Sequence, residues 1–196
     1  MILHWDQIVL HYGQHGNHQI QQHERKFAKA HRSTFGILYS PVCFTSDDID
    51  FTLGKSGNGL HAEESLLHSA AWKQQIPAAL KSHITGVNSS FNVIIGLNRT
   101  PCRSCTEQLI QALNQVHKEF PVRASNNRFI LACLGFYGPS RTQPGARTTV
   151  RDLKRLMDAG WELAALQVGA NLTLHGQMLQ HQLQHLGSRG IMRLEH

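Results

Sequence analysis

Residues 91–118 read FNVIIGLNRTPCRSCTEQLIQALNQVHK, and this stretch decides the fold class. Residues 91–97 are a continuous apolar run of strand length, the pattern of a strand covered on both faces. Pro101 stands just ahead of Cys102, near the position where a helix start tolerates proline. From residue 102 to 118 the period changes, and Leu109, Ala112, Leu113 and Val116 fall on one helical face. A buried strand running straight into an amphipathic helix is half of a β-α-β unit, so the domain is read as α/β.

The same reading extends in both directions. Residues 34–45 (TFGILYSPVCFT) predict a strand bent at Pro41, and residues 49–53 (IDFTL) a short second strand. Gly54, Gly57 and Gly59 predict a flexible loop. A helix is expected over 61–75, where Leu66, Leu67, Ala70 and Ala71 recur near the helical period, and Pro77 is expected to open a connection. Residues 129–137 (FILACLGFY) predict a further buried strand, 138–147 a basic loop, and 149–159 a helix stopped by Gly160. A strand over 161–168 and a last helix over 171–186 complete the chain. A polar helix, rich in Gln and His, is expected over 14–31.

The expected order is α-β-β-α-β-α-β-α-β-α. Strands that alternate with helices imply a three-layer α/β/α domain on a five-stranded mixed sheet, its fourth and fifth strands parallel. One domain is expected over residues 1–193, with a core over 34–169. Leu194-Glu195-His196 match the start of a vector-encoded histidine tag and carry no part of the functional reading.

Composition narrows the class. With 19 basic and 13 acidic residues the balance is +6, which permits a polyanionic partner without requiring one. No apolar run approaches the ~20 residues of a membrane span, and the first residues lack the basic start and apolar stretch of a secretory signal. Four cysteines in 196 residues are not a disulfide framework. Cys43 and Cys133 lie in apolar segments and read as small buried side chains. Working in a reducing compartment is therefore expected: the cytoplasm, or a target cell's cytoplasm reached by a secreted effector.

Cys102 and Cys105 are different. Two cysteines three apart at a helix start can set both sulfurs on one ion, and the helix N-terminus favours their thiolates. A second motif, His61-Ala62-Glu63, follows the glycine loop and opens the preceding helix. One His and two Cys on zinc, with a Glu that is not a ligand, is the pattern of the zinc deaminases. Three protein ligands leave the fourth position to water, which separates a catalytic from a structural site. A structural site needs a fourth protein ligand; His83 and Cys133 are the side chains that would supply it.

On these two motifs, and over residues 34–169, the chain resembles the cytidine deaminase-like superfamily. The resemblance implies zinc held by His61, Cys102 and Cys105, with Glu63 as proton shuttle. The basic loop and helix between the fourth and fifth strands are similar to the AID/APOBEC arrangement. In that family an aromatic after the fourth strand reads the nucleotide beside the target base, which makes Tyr137 the candidate, with Phe136 behind it. Two features depart from the family pattern. The interval over residues 64–100 is long, and Leu97-Asn98-Arg99-Thr100 stands where vertebrate members carry Ser-Trp-Ser. The second departure brings the chain nearer to bacterial toxin-domain deaminases.

The implied activity is conversion of cytosine to uracil in nucleic acid, DNA first and RNA second. The alternatives are a tRNA adenosine deaminase, a free cytidine or nucleotide deaminase, and an inactive zinc-stabilised nucleic-acid-binding module. Arg99, Arg103, Arg141 and Arg147 are expected at the rim of the site, and Asn58 and Thr100 are candidates for the sugar or base edge. A monomer is expected, with an immunity protein as partner if this is a toxin domain. His181 and His185, four apart on the last helix, read as a solvated face.

Overall fold

The computed structural model describes residues 1–12, 35–41, 49–55, 61–82, 92–121, 127–138 and 147–194. Thirteen elements are described. They are β1 (Ile2–His4), α1 (Trp5–Tyr12), β2 (Phe35–Pro41), β3 (Ile49–Lys55), α2 (Ala62–Leu67), a π-helical turn (Ala71–Gln75), α3 (Ile76–Ser82), β4 (Asn92–Leu97), α4 (Arg103–Glu119), β5 (Arg128–Cys133), α5 (Val150–Asp158), β6 (Glu162–Gln167) and α6 (Leu174–His185).

One mixed sheet runs in the order β1-β6-β5-β4-β2-β3. β4, β5 and β6 are parallel neighbours, as their intervening helices require, and β2 is antiparallel to both β4 and β3. The apolar run at 91–97 behaves as its composition dictates: all six residues of β4 are buried. Val93, Ile95 and Leu97 face a core shared with α2, α3, α4, α5 and α6, whereas Ile94 faces a second core with Trp5, Ile8 and Met192. Helical segments thus cover both faces of the sheet, one of them thinly among the described residues.

Trp161 anchors the larger core. It stacks on Trp72 at 6.0 Å, meets Phe129 edge-on at 6.2 Å, and its indole N–H donates to the Leu109 carbonyl. Gly160 ends the turn after α5 at φ +102°, a conformation that side-chain-bearing residues rarely adopt.

Four expectations are corrected. The sheet has six strands, not five. The sixth, β1, pairs with β6 in parallel register, Ile2 opposite Ala165. Its three residues are too few to show a strand period. α1, directly after it, was not expected either. The helix read over 61–75 is broken after Leu67, and the chain then winds through the π-helical turn into α3. Pro77 does not open a connection: it is the second residue of α3, which continues directly from the π-helical turn. Finally, the strand read over 129–137 leaves the sheet after Cys133. Gly135 turns it away, and a side chain there would meet His175 Cβ at 2.9 Å. The helix expected over 14–31, the glycine loop at 56–60 and Cys43 lie outside the described residues. Leu194, read as tag, packs against the second core.

Candidate metal centre

Two helix starts meet beside the sheet. His61 is the residue before α2, and Cys102 the residue before α4; both have extended backbone. This places each side chain at the mouth of its helix. Cys105, one turn into α4, points to the same spot. His61 Nδ1 lies 3.1 Å from Cys105 Sγ and 3.3 Å from Cys102 Sγ, and the two sulfurs are 3.5 Å apart. Zinc–ligand bonds of ~2.0 and ~2.3 Å at tetrahedral angles give edges of roughly 3.5–3.8 Å. The observed triangle needs to open by only a few tenths of an ångström to take such an ion.

The donor set fits a cation chemically as well. The hydrogen bond from the Cys105 thiol, helped by Ser104 and His61, lowers the Cys102 pKa to about 4. Cys105, beside that thiolate and buried, is pushed upward. The pair therefore shares one proton, and a second thiolate becomes favourable only when a positive ion compensates it. His61, Cys102 and Cys105 form the one group of metal-ligand character among the described residues, and it has three members. Cys133, fully buried nearby, is not in it. His83 lies outside the described residues.

Glu63 is the second residue of α2, 2% exposed. Burial raises its pKa, and its Oε2 has no hydrogen-bond partner among the described residues. A buried carboxylate oxygen left open costs free energy, and this one lies beside three ligand-type side chains.

The expected rim is present in part. Tyr137 is half-buried, with the Arg147 guanidinium 4.6 Å and the Arg99 guanidinium 5.4 Å from its ring centroid. Its N–H donates to Thr100 Oγ1 at 2.8 Å. Thr100 is buried, and its hydroxyl also meets that of Thr148, so the side chain anchors the Tyr137 segment. Arg103 is exposed beside Cys102 and lines a surface cleft. Asn58 and Arg141 lie outside the described residues. His181 and His185 stay on an exposed face, their Nε2 atoms 3.2 Å apart.

Two positioning residues were not read from the sequence. Glu64 accepts the His61 backbone N–H at 2.7 Å and the Gln108 side-chain amide at 2.6 Å. It thereby fixes the backbone of one candidate ligand and ties α2 to α4. Its signal was the capping-box spacing, three residues beyond His61.

No family model matches this chain, and no curated protein matches it. Among the described residues no helix is long and apolar enough to cross a membrane.

Proposed function

We propose that this chain is a zinc-dependent deaminase of the cytidine deaminase-like type, converting cytosine to uracil in nucleic acid, with DNA as the first substrate. The observation that carries the reading is the meeting of His61, Cys102 and Cys105 beside a buried carboxylate, Glu63, that has an open oxygen. A purely structural zinc site has no use for that carboxylate.

A zinc ion held by the three side chains would supply Lewis acidity toward a water at its open position. Glu63 takes a proton from the attacking water and delivers it to the ring nitrogen. It then moves a proton to the exocyclic amine at C4, which leaves as ammonia. Water and cytosine thus balance uracil and ammonia. Tyr137, with the Arg99 and Arg147 guanidinium groups close to its ring, supplies an aromatic and cationic rim at the mouth. The similarity to bacterial toxin-domain deaminases extends the reading to an effector acting in a target cell's cytoplasm.

The test is uracil formation on matched single- and double-stranded DNA, with zinc content measured on the same samples and Glu63→Ala alongside. Uracil from the wild type and none from the variant supports the reading. Zinc near one per chain with no uracil on either DNA overturns the DNA assignment.

A further inference from the structure

Where α4 and α5 begin side by side, a surface cleft of about 480 Å³ is lined by Arg103, Glu107, Thr149, Arg151, Asp152 and Arg155. Three of these six residues are arginines, and they are not equivalent. Arg155 is spent on Glu107 in a two-pronged ion pair. Asp152 is turned inward and capped: its carboxylate accepts the N–H of Thr149 at 2.8 Å and the Thr149 hydroxyl at 2.7 Å. The start of α5 is thus already filled by this chain's own carboxylate, so the cleft's attraction for an anion comes from side chains, not backbone amides. Arg103 and Arg151 remain exposed, and among the described residues neither has an ion-pair partner.

The cleft also has a fixed place relative to the candidate metal centre. Arg103 follows Cys102 directly. The Thr148 hydroxyl bonds Thr100 Oγ1 and the Pro101 carbonyl, which pins the residues before α5 to the residues before Cys102. Arg147 and Arg151 therefore flank one pinned point, Arg147 over Tyr137 and Arg151 in the cleft. Guanidinium groups carried from an aromatic platform to an open cleft follow a line of separate negative charges better than a single one.

We propose that the Arg103–Arg151 cleft is a phosphate subsite that holds a backbone phosphodiester of a polynucleotide whose target base enters the site beside Cys102. The proposal rests on the nucleic-acid reading of that site. Phosphate is also the chemistry of a free nucleotide or inorganic phosphate, and the test separates these sources.

The test uses the zinc-loaded protein and a fluorescent single-stranded DNA, with binding followed by anisotropy from ~50 to ~200 mM salt. Arg151→Gln is expected to weaken binding roughly ten-fold at the low-salt end and to reduce the slope of log affinity against log salt by ~0.7. Arg103→Gln is expected to do the same. Zinc content stays unchanged in Arg151→Gln. Wild-type affinity and slope in both variants overturn the subsite. So does binding of inorganic phosphate that is lost in the variants while DNA binding is not, because the cleft then serves a small ion. The two readings fail separately. DNA bound through the cleft but never deaminated sinks the deaminase and leaves the subsite standing. Deamination with undiminished binding in both variants does the reverse.

Discussion

Thr148 and Thr100 stand 48 residues apart in sequence, yet their hydroxyl oxygens are 2.8 Å apart in a fully enclosed position. The Thr148 hydroxyl also reaches the Pro101 carbonyl, and the Thr100 hydroxyl accepts from the Tyr137 N–H. One small polar network thus holds together the end of β4, the approach to Cys102, the turn after β5 and the entry to α5.

Thr148→Val keeps the side-chain shape and removes the hydroxyl, leaving the Pro101 carbonyl without this donor. The expected loss of stability is about 1–3 kcal/mol, read from urea unfolding midpoints. An unchanged midpoint would mean that the network does not contribute to holding these segments.

The ligand triangle predicts which cysteine changes matter. Cys105→Ala is expected to abolish stoichiometric zinc, and Cys133→Ala to leave it near one per chain, because Cys133 is not among the grouped ligand atoms. Chelation should lower the thermal midpoint of the wild type, since an ion that binds only the folded state adds about 4 kcal/mol at a thousand times its dissociation constant. Metal analysis and thermal scans check both statements. Zinc lost equally from both variants would place Cys133 in the coordination shell.

Glu63→Gln separates stability from chemistry. The amide fills the same space and removes a buried charge with an open oxygen, so the thermal midpoint should not fall. Turnover should fall by roughly 10²–10⁴, the usual contribution of a positioned proton-transfer group. A variant that keeps its turnover would remove Glu63 from the reaction.

What could be read in the sequence follows from how local each signal is. β4 and α4 were legible because a covered strand and an amphipathic helix carry their period within one window. The candidate ligand residues were legible because His61 and Cys102 occupy the residue before a helix, where side-chain type and local backbone go together. β1 was not, since its position depends on parallel pairing with residues near 165. The π-helical turn was not, because an apolar period does not distinguish it from an ordinary helical turn. The Gln108–Glu64 bond crosses 44 residues and joins side chains of common types, so no local pattern marks it.

Trp161 offers a check on the core independent of function. Its ring is buried between Trp72 and Phe129 and hydrogen-bonded to Leu109. Trp161→Ala is expected to cost about 3–5 kcal/mol, through lost transfer energy and the cavity left behind. Calorimetry or urea unfolding measures it, and a cost below about 1 kcal/mol would contradict the packing described.

Tyr137 tests whether the mouth of the site is a stacking platform. Its ring carries Arg147 at 4.6 Å and Arg99 at 5.4 Å, and its backbone is held on both sides, by Thr100 and by Thr148. The ring can therefore be changed without moving the chain. Tyr137→Phe keeps the aromatic face and both guanidinium contacts, so affinity for single-stranded DNA should stay within about two-fold of the wild type. Tyr137→Ala removes the face, and a lost base stack is worth about 1–3 kcal/mol, or roughly five- to a hundred-fold in affinity. Zinc content should be the same in all three proteins, since Tyr137 is not in the His61, Cys102 and Cys105 group. Equal DNA affinity in Tyr137→Ala and wild type would leave the ring with only a packing role against the two arginines.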